Sequence, residues 1–381
     1  MVNVNNEAAR LPDSPPMVPA WTALRFFAAL WIVVYHFGRD LLPFPVHAGI
    51  PVSFFFFLSG FVLAYSFRQR RSFGFSFLFE RWARLGPLYW LALGASFLLM
   101  FPFGSVDRVT MLPWLVRLET NVLGIHTWIP DFALSLNPQS WAVSVELTLY
   151  VVFLLFAPKV FKMAWSRRWV VFSCLWLVDM SVLAVSRGWV WDRWFYSEDP
   201  NLRFVHHLLL YHPLVYVCVF VLGMLAAPDY RKRVSPALGI PCFLVAVGGI
   251  VLATVFQSPV WRYLLHVGVL APVYALLLHS LRAPSPITKV LSSPSLSFLG
   301  ACSYGMYIFQ HPLGCVFNRF NPEWTRSAVG FFVFALLLVG LAAFLHCHVE
   351  SPLRRQLLHA RRRTQRKDSA EQFLKVGGSG C

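Results

Sequence analysis

Ten apolar stretches of roughly 17 to 22 residues recur between residues 20 and 349, at about 20–38, 50–66, 84–101, 139–157, 168–186, 208–227, 237–256, 261–281, 297–316 and 327–349. At 1.5 Å per residue, each is long enough to cross bilayer hydrocarbon, where backbone N–H and C=O groups must be paired within the protein. The stretches are continuously apolar and lack the period-two alternation of barrel strands, so the expected fold is all-α: a polytopic membrane protein of about ten transmembrane helices. Composition agrees. With 57% hydrophobic and only 13% charged residues, the chain could not keep a soluble surface wet. No long polar interval or internal repeat divides the apolar region. The chain is therefore read as a cytoplasmic N-terminal tail (1–19), one transmembrane domain (20–355) and a basic cytoplasmic tail (356–381).

The formal net charge of +16 has a topological explanation. Ten crossings put both termini on one side, and the segments on that side hold 23 Lys and Arg against 9 in the opposite loops. The positive-inside rule then makes both termini cytoplasmic, together with the loops carrying Arg68 to Arg84, Lys159 to Arg168 and Arg231 to Arg233. Orientation and contact with membrane lipids explain the charge, and no nucleic acid partner is expected. The seven cysteines lie mostly in apolar blocks with no C-x-x-C pair, so no disulfide framework or thiolate metal site is expected. The polar, proline-containing first twenty residues do not resemble a cleavable leader.

An ionisable group inside a membrane helix is costly and therefore informative. In WTALRFFAALWIVVYHFG, Arg25 and His36 are separated by ten residues, about 16 Å along one helix, with Arg25 toward the cytoplasm. Two readings stand. Arg25 meets a polyanionic donor from inside while His36 faces an acceptor from outside, or Arg25 snorkels to headgroups and His36 bonds a backbone carbonyl. Asp40 follows His36 by four residues and would orient the imidazole if the helix continues past Gly38. The block NPQSWAVSVELTLY places Asn137, Ser140, Ser144 and Glu146 at the start of the fourth long helix; Glu146 is expected to pair with an arginine or an imidazolium. His346 with Glu350, and His206, His207 and His212, superficially resemble metal ligands, but no metal site is assigned. His311 precedes Pro312 and either satisfies the carbonyl that the proline frees or lines a cavity. Ser59 and Gly60 are read as allowing close helix packing.

Taken in chain order, these segments resemble the acyltransferase-3 family, the membrane O-acyltransferases of bacterial surface polysaccharides. Arg25 and His36 match that family's basic-x10-histidine motif. VSFFFFLSGFVLAY at 52–65, FLFERWARLGPLYW at 77–90, SWAVSVELTLY at 140–150, SYGMYIFQHPL at 303–313 and VESPLRR at 349–355 are similar to its later segments. The departures are Gly86, where a bulkier residue is usual, and Leu147, where a polar residue often follows the glutamate. The resemblance implies an O-acetyltransferase of the bacterial inner membrane. Its acyl donor would be acetyl-CoA with no tightly bound cofactor, and its acceptor a polysaccharide or lipid-linked oligosaccharide. His36 would act as general base or carry the acyl group, with Asp40 and Glu146 in support, while Arg25, Arg81 and Arg84 would meet the donor's phosphates. A transporter or flippase of a polar or lipid-linked substrate is the rival reading of buried charge, and the absence of repeat symmetry speaks against it.

Overall fold

The structure is a computed structural model and describes residues 18–68, 74–100, 108–194, 200–229, 234–256, 258–321, 323–324 and 327–377. The first 17 residues of the N-terminal tail and the basic run Arg231 to Arg233 lie outside the described residues. Among the described residues the protein is all-helical and contains no strand.

Each of the ten apolar blocks is helical. The first five form α1 (Pro19–Phe37), α2 (Gly49–Phe67), α3 (Phe75–Met100), α5 (Trp141–Lys162) and α6 (Trp165–Trp194), with α4 (Arg108–Val122) intervening on the 102–138 segment. The remainder form α7 (Pro200–Tyr211) followed by α8 (Val217–Ala226), α9 (Pro236–Val255), α10 (Pro259–Val267) with α11 (Ala271–Ser280), the short α12 (Pro286–Leu291), α13 (Pro294–Phe320), α14 (Ala328–Leu345) and α15 (Ser351–Gly377).

Seven helical spans among the described residues have the length and apolarity of a membrane crossing, and α10 with α11 makes an eighth, bent by 47°. The bend falls at Gly268, whose φ of 107° lies in the left-handed region that favours glycine. The other two of the ten blocks lie in α6 and α13, which are 30 and 27 residues long. In α13, Ser303, Gln310 and other small or polar side chains are buried against neighbouring helices.

Helix starts follow a local rule written in the sequence. Ser-Pro pairs at 235–236, 258–259, 285–286 and 293–294 each open a helix, with proline at the first helical position, where no N–H is needed. Ser258 and Ser285 also accept the N–H groups of Trp261 and Thr288, at 3.2 and 3.1 Å.

α2 is the buried centre of the bundle, whereas α9 and α14 turn rows of Leu, Val and Phe outward, as a lipid-facing surface requires. Two close approaches set the packing. A Cβ on Gly60 would collide with the Phe220 carbonyl oxygen, and one on Gly223 with that of Phe57, so α2 and α8 meet backbone to backbone. A Cβ on Gly300 would likewise strike the Thr22 carbonyl, and one on Gly314 the Phe37 ring. These two contacts, one near each end, show that α1 and α13 run parallel in register.

Candidate active site

α1 supplies the axis of the site. Pro19 opens it, and it ends at Phe37 because Gly38 leaves helical geometry. Arg25 and His36 therefore share one uninterrupted helix, separated by about 16 Å along its axis.

Arg25 is half-buried, and its electrostatic neighbours are Arg84 of α3, Glu146 and Tyr150 of α5, and Glu350. Three elements far apart in sequence thus converge on one guanidinium. Glu146 does not stand alone. Tyr150 donates its hydroxyl to Glu146 Oε1 at 2.5 Å, and Ser59 of α2 donates to the same oxygen at 3.4 Å. Glu146 is held by two hydroxyls and lies within electrostatic reach of Arg25.

Toward the start of α3 the cluster continues through Arg81, whose electrostatic neighbours are Arg84, Arg354, Glu80 and Tyr150. The Arg81 guanidinium carbon lies 5.4 Å from the Phe67 ring centroid and 5.8 Å from that of Phe77. The Nε atoms of Arg81 and Arg354 are both buried without a hydrogen-bond partner. Four guanidiniums (Arg25, Arg81, Arg84, Arg354) meet three carboxylates (Glu80, Glu146, Glu350), leaving positive charge and unused donors. That combination suits a phosphate-bearing ligand.

Glu80, Glu350 and Arg354 are the members to which the sequence assigned no place in the site, and the last two come from the C-terminal segment. Glu350 closes a π-turn, His346–Glu350, inserted between α14 and α15, and Arg354 stands in the first turn of α15. The extra residue in that turn re-aims the chain so that Glu350, 7% exposed, points inward and accepts from His346 Nδ1 at 2.9 Å. The i, i+4 pair weighed as metal ligands is bound to itself. The available signal was a carboxylate closing an apolar block in VESPLRR. Of the other histidines so weighed, His207 contacts the Pro130 carbonyl at 2.9 Å, and His212 accepts from the Leu214 N–H. Among the described residues no group of three His, Cys, Asp or Glu side chains is gathered to hold a metal.

At the other end of α1, His36 is exposed, and the groups within its electrostatic reach are Arg39 and His311 of α13. Asp40 departs from expectation. The helix stops before it, Asp40 falls in a 3-10 turn (Arg39–Leu41), and its carboxylate lies 3.5 Å from Arg39 Nε on an open surface. The four-residue helical spacing that would have brought Asp40 to the imidazole does not exist beyond Gly38.

His311 is also placed differently from one of its two readings. Pro312 frees the Ile308 carbonyl, but Asn137 Nδ2 donates to that oxygen at 2.9 Å. His311 lies within electrostatic reach of His36, with Cys315 Sγ 3.7 Å from its Nε2.

A buried polar shelf beneath α5 positions Glu146. Ser140 Oγ lies 3.1 Å from His126 Nε2 and donates to Asn121 Oδ1 at 3.3 Å, while Thr127 and Ser144 share a hydrogen bond of 2.6 Å. Tyr89 of α3 donates to the Asn121 carbonyl at 2.5 Å. Ser140, Ser144 and Asn137 are thus anchors for the start of α5, and His126, fully buried, was not singled out in the sequence.

Comparison with known proteins gives this geometry a context. Residues 18–347 match the family model Acyl_transf_3, described as an acyltransferase domain. The acyltransferase MdmB of Streptomyces mycarofaciens is 27% identical over 375 residues, covering 91% of this chain and 94% of its own. The exopolysaccharide production protein ExoZ of Rhizobium meliloti is 27% identical over 322 residues, covering 81% and 90% respectively. No solved structure matches the chain.

Proposed function

Because the chain belongs to the acyltransferase-3 family and is an acyltransferase, we propose that it transfers an acetyl group from acetyl-CoA to a sugar hydroxyl of a surface polysaccharide or its lipid-linked precursor. The observation that carries this reading is the convergence of Arg25, Arg84 and Glu146 from three helices, with His36 on the same helix as Arg25 and about 16 Å away.

The arginine-rich end fits the donor. Arg81, Arg84 and Arg354 take its phosphates as charge-assisted hydrogen bonds, and Glu146 with Tyr150 keeps Arg25 oriented toward the bundle interior. The thioester then lies along α1. His36 takes the proton of the acceptor hydroxyl as the new C–O bond forms to the acetyl carbon; the C–S bond breaks, and the leaving thiolate receives a proton. His311, within electrostatic reach of His36, serves to position the acceptor. Asp40 has no part in this proton transfer. The ExoZ relative, named for exopolysaccharide production, supports a glycan acceptor. In this orientation the arginines face the cytoplasm of a bacterial inner membrane, where acetyl-CoA is made, and His36 faces outward.

The test is His36→Gln, which keeps much of the volume but cannot take up the proton. Surface glycan from a deletion strain complemented with this variant is expected to lose ester-linked acetyl, with transfer per folded enzyme falling by about 10² to 10⁴. Glycan from the variant strain with most of its acetyl content intact would remove His36 from the chemistry.

A further inference from the structure

A second cationic cluster lies at the same end of the bundle as Arg81 but outside the site just described. Arg68 caps the end of α2, Arg168 stands one turn into α6, Asp229 follows α8, and His279 and Arg282 close α11. Part of this cluster has a structural purpose. His279 Nε2 lies 2.9 Å from the Ala226 carbonyl, Arg168 Nη1 donates to that of Ala227 at 2.9 Å, and Arg282 Nη2 to that of Asp229 at 3.0 Å. Cationic groups at the end of α8 complement its dipole and its unpaired carbonyls.

Helix capping does not account for everything there. Arg168 is only 2% exposed, and its guanidinium carbon lies 4.7 Å from the Trp165 ring centroid, yet its Nε has no acceptor. Arg68 lies within electrostatic reach of Arg168, and its Nη1 is likewise buried without an acceptor. Asp229 is the carboxylate near Arg168 and Arg282, so three guanidiniums share one negative charge among the described residues. Two like charges within electrostatic reach of one another, each with a buried N–H that has no acceptor, are unfavourable unless a further anion joins them.

We propose that Arg68 and Arg168 bind a phosphate group at this end of the bundle, separately from the acyl-donor cluster. Guanidinium forks match the tetrahedral oxygens of a phosphate monoester or diester. The site is formed by the ends of four helical elements, the level at which phospholipid headgroups lie beside a membrane protein. An anionic headgroup and a soluble phosphate share this chemistry, and experiment separates them.

Arg68→Gln is the informative variant, because Arg68 takes no part in capping α8. Full-length protein purified in a neutral detergent is titrated with phosphatidylglycerol, with phosphatidylcholine as control, and separately with inorganic phosphate. The unfolding midpoint and native mass spectra are read. At phosphatidylglycerol concentrations about tenfold above half-saturation, the wild-type midpoint is expected to rise by roughly 2–4 °C, with one lipid retained. Arg68→Gln should require at least about tenfold more lipid for the same rise. Stabilisation by inorganic phosphate alone, lost in the variant, assigns the site to a soluble phosphate. Equal responses of wild type and Arg68→Gln to both anions would overturn the proposal, as would no response in either. Arg168→Gln is a secondary variant. If it fails to fold, the Arg68→Gln result decides alone.

Discussion

At the scale of single residues, the site combines Glu146, held by Tyr150 and Ser59, with Arg81 and Arg354, whose Nε atoms are buried without an acceptor. Arg25, His36 and Glu146 were visible in the sequence because a charged or titratable side chain within an apolar block needs a reason. For Asp40 the condition that the helix continue past Gly38 is not met, because α1 ends at Phe37. His126 was overlooked because a lone histidine in a loop says nothing about burial. In the structure, burial pushes its imidazole pKa down to about 3, against an unfolded value near 6.5. As pH falls below 6.5 the unfolded chain takes up the proton first. The stability His126 contributes is therefore complete above pH 6.5 and is lost progressively toward pH 3, amounting to about 2 kcal/mol at pH 5. Thermal midpoints measured at pH 8, 6.5 and 5 should fall more steeply for the wild type than for His126→Gln. Parallel profiles would assign the acid sensitivity to another group.

At the scale of elements, glycines and prolines decide what the helices can touch. Gly60 and Gly223 let α2 and α8 meet through their backbones, and the apolar pattern alone could not say which helix would lie against α2. Gly223→Val drives a methyl group into the Phe57 carbonyl and should cost at least about 1–3 kcal/mol, because backbone has to move. Gly248→Val is the matched control, since a Cβ there meets nothing within 4 Å. In size-exclusion chromatography after mild heating, Gly223→Val should aggregate while Gly248→Val elutes as the wild type does. Equal behaviour of the two would show that α2 and α8 are less closely packed. Pro312 works in the same way across elements: the carbonyl it frees is taken by Asn137, on the turn before α5, which ties α13 to the segment that positions Glu146.

At the scale of the whole molecule, the distribution of charge along the chain sets which face meets which compartment. With 23 Lys and Arg on one side of the proposed ten crossings and 9 on the other, both termini are expected to be cytoplasmic and His36 to lie toward the outer face. Single cysteines introduced at Asp40 and at Lys159 into a variant free of reactive native thiols should react with a membrane-impermeant maleimide from opposite sides. Labelling from the same side would reverse the orientation of α1 relative to α5 and separate His36 from the acceptor compartment.

The sequence by itself determined that this chain is a helical membrane protein, where its apolar blocks begin and end, and which of them carry intramembrane charge. These follow from local hydropathy, Ser-Pro helix starts and the cost of an ion in hydrocarbon. Only the tertiary structure decided that Arg25, Arg84, Glu146 and Glu350 share one site, since the elements that bear them span more than 300 residues and meet through glycine contacts and a π-turn. It also separated residues that look alike in sequence. Arg81 and Arg168 are both arginines near a bundle end, yet one lies among Arg84, Arg354 and Glu80 and the other donates to the end of α8. The physical reason is that a guanidinium's role is set by the acceptors around it, and those are supplied by neighbouring helices rather than by its own.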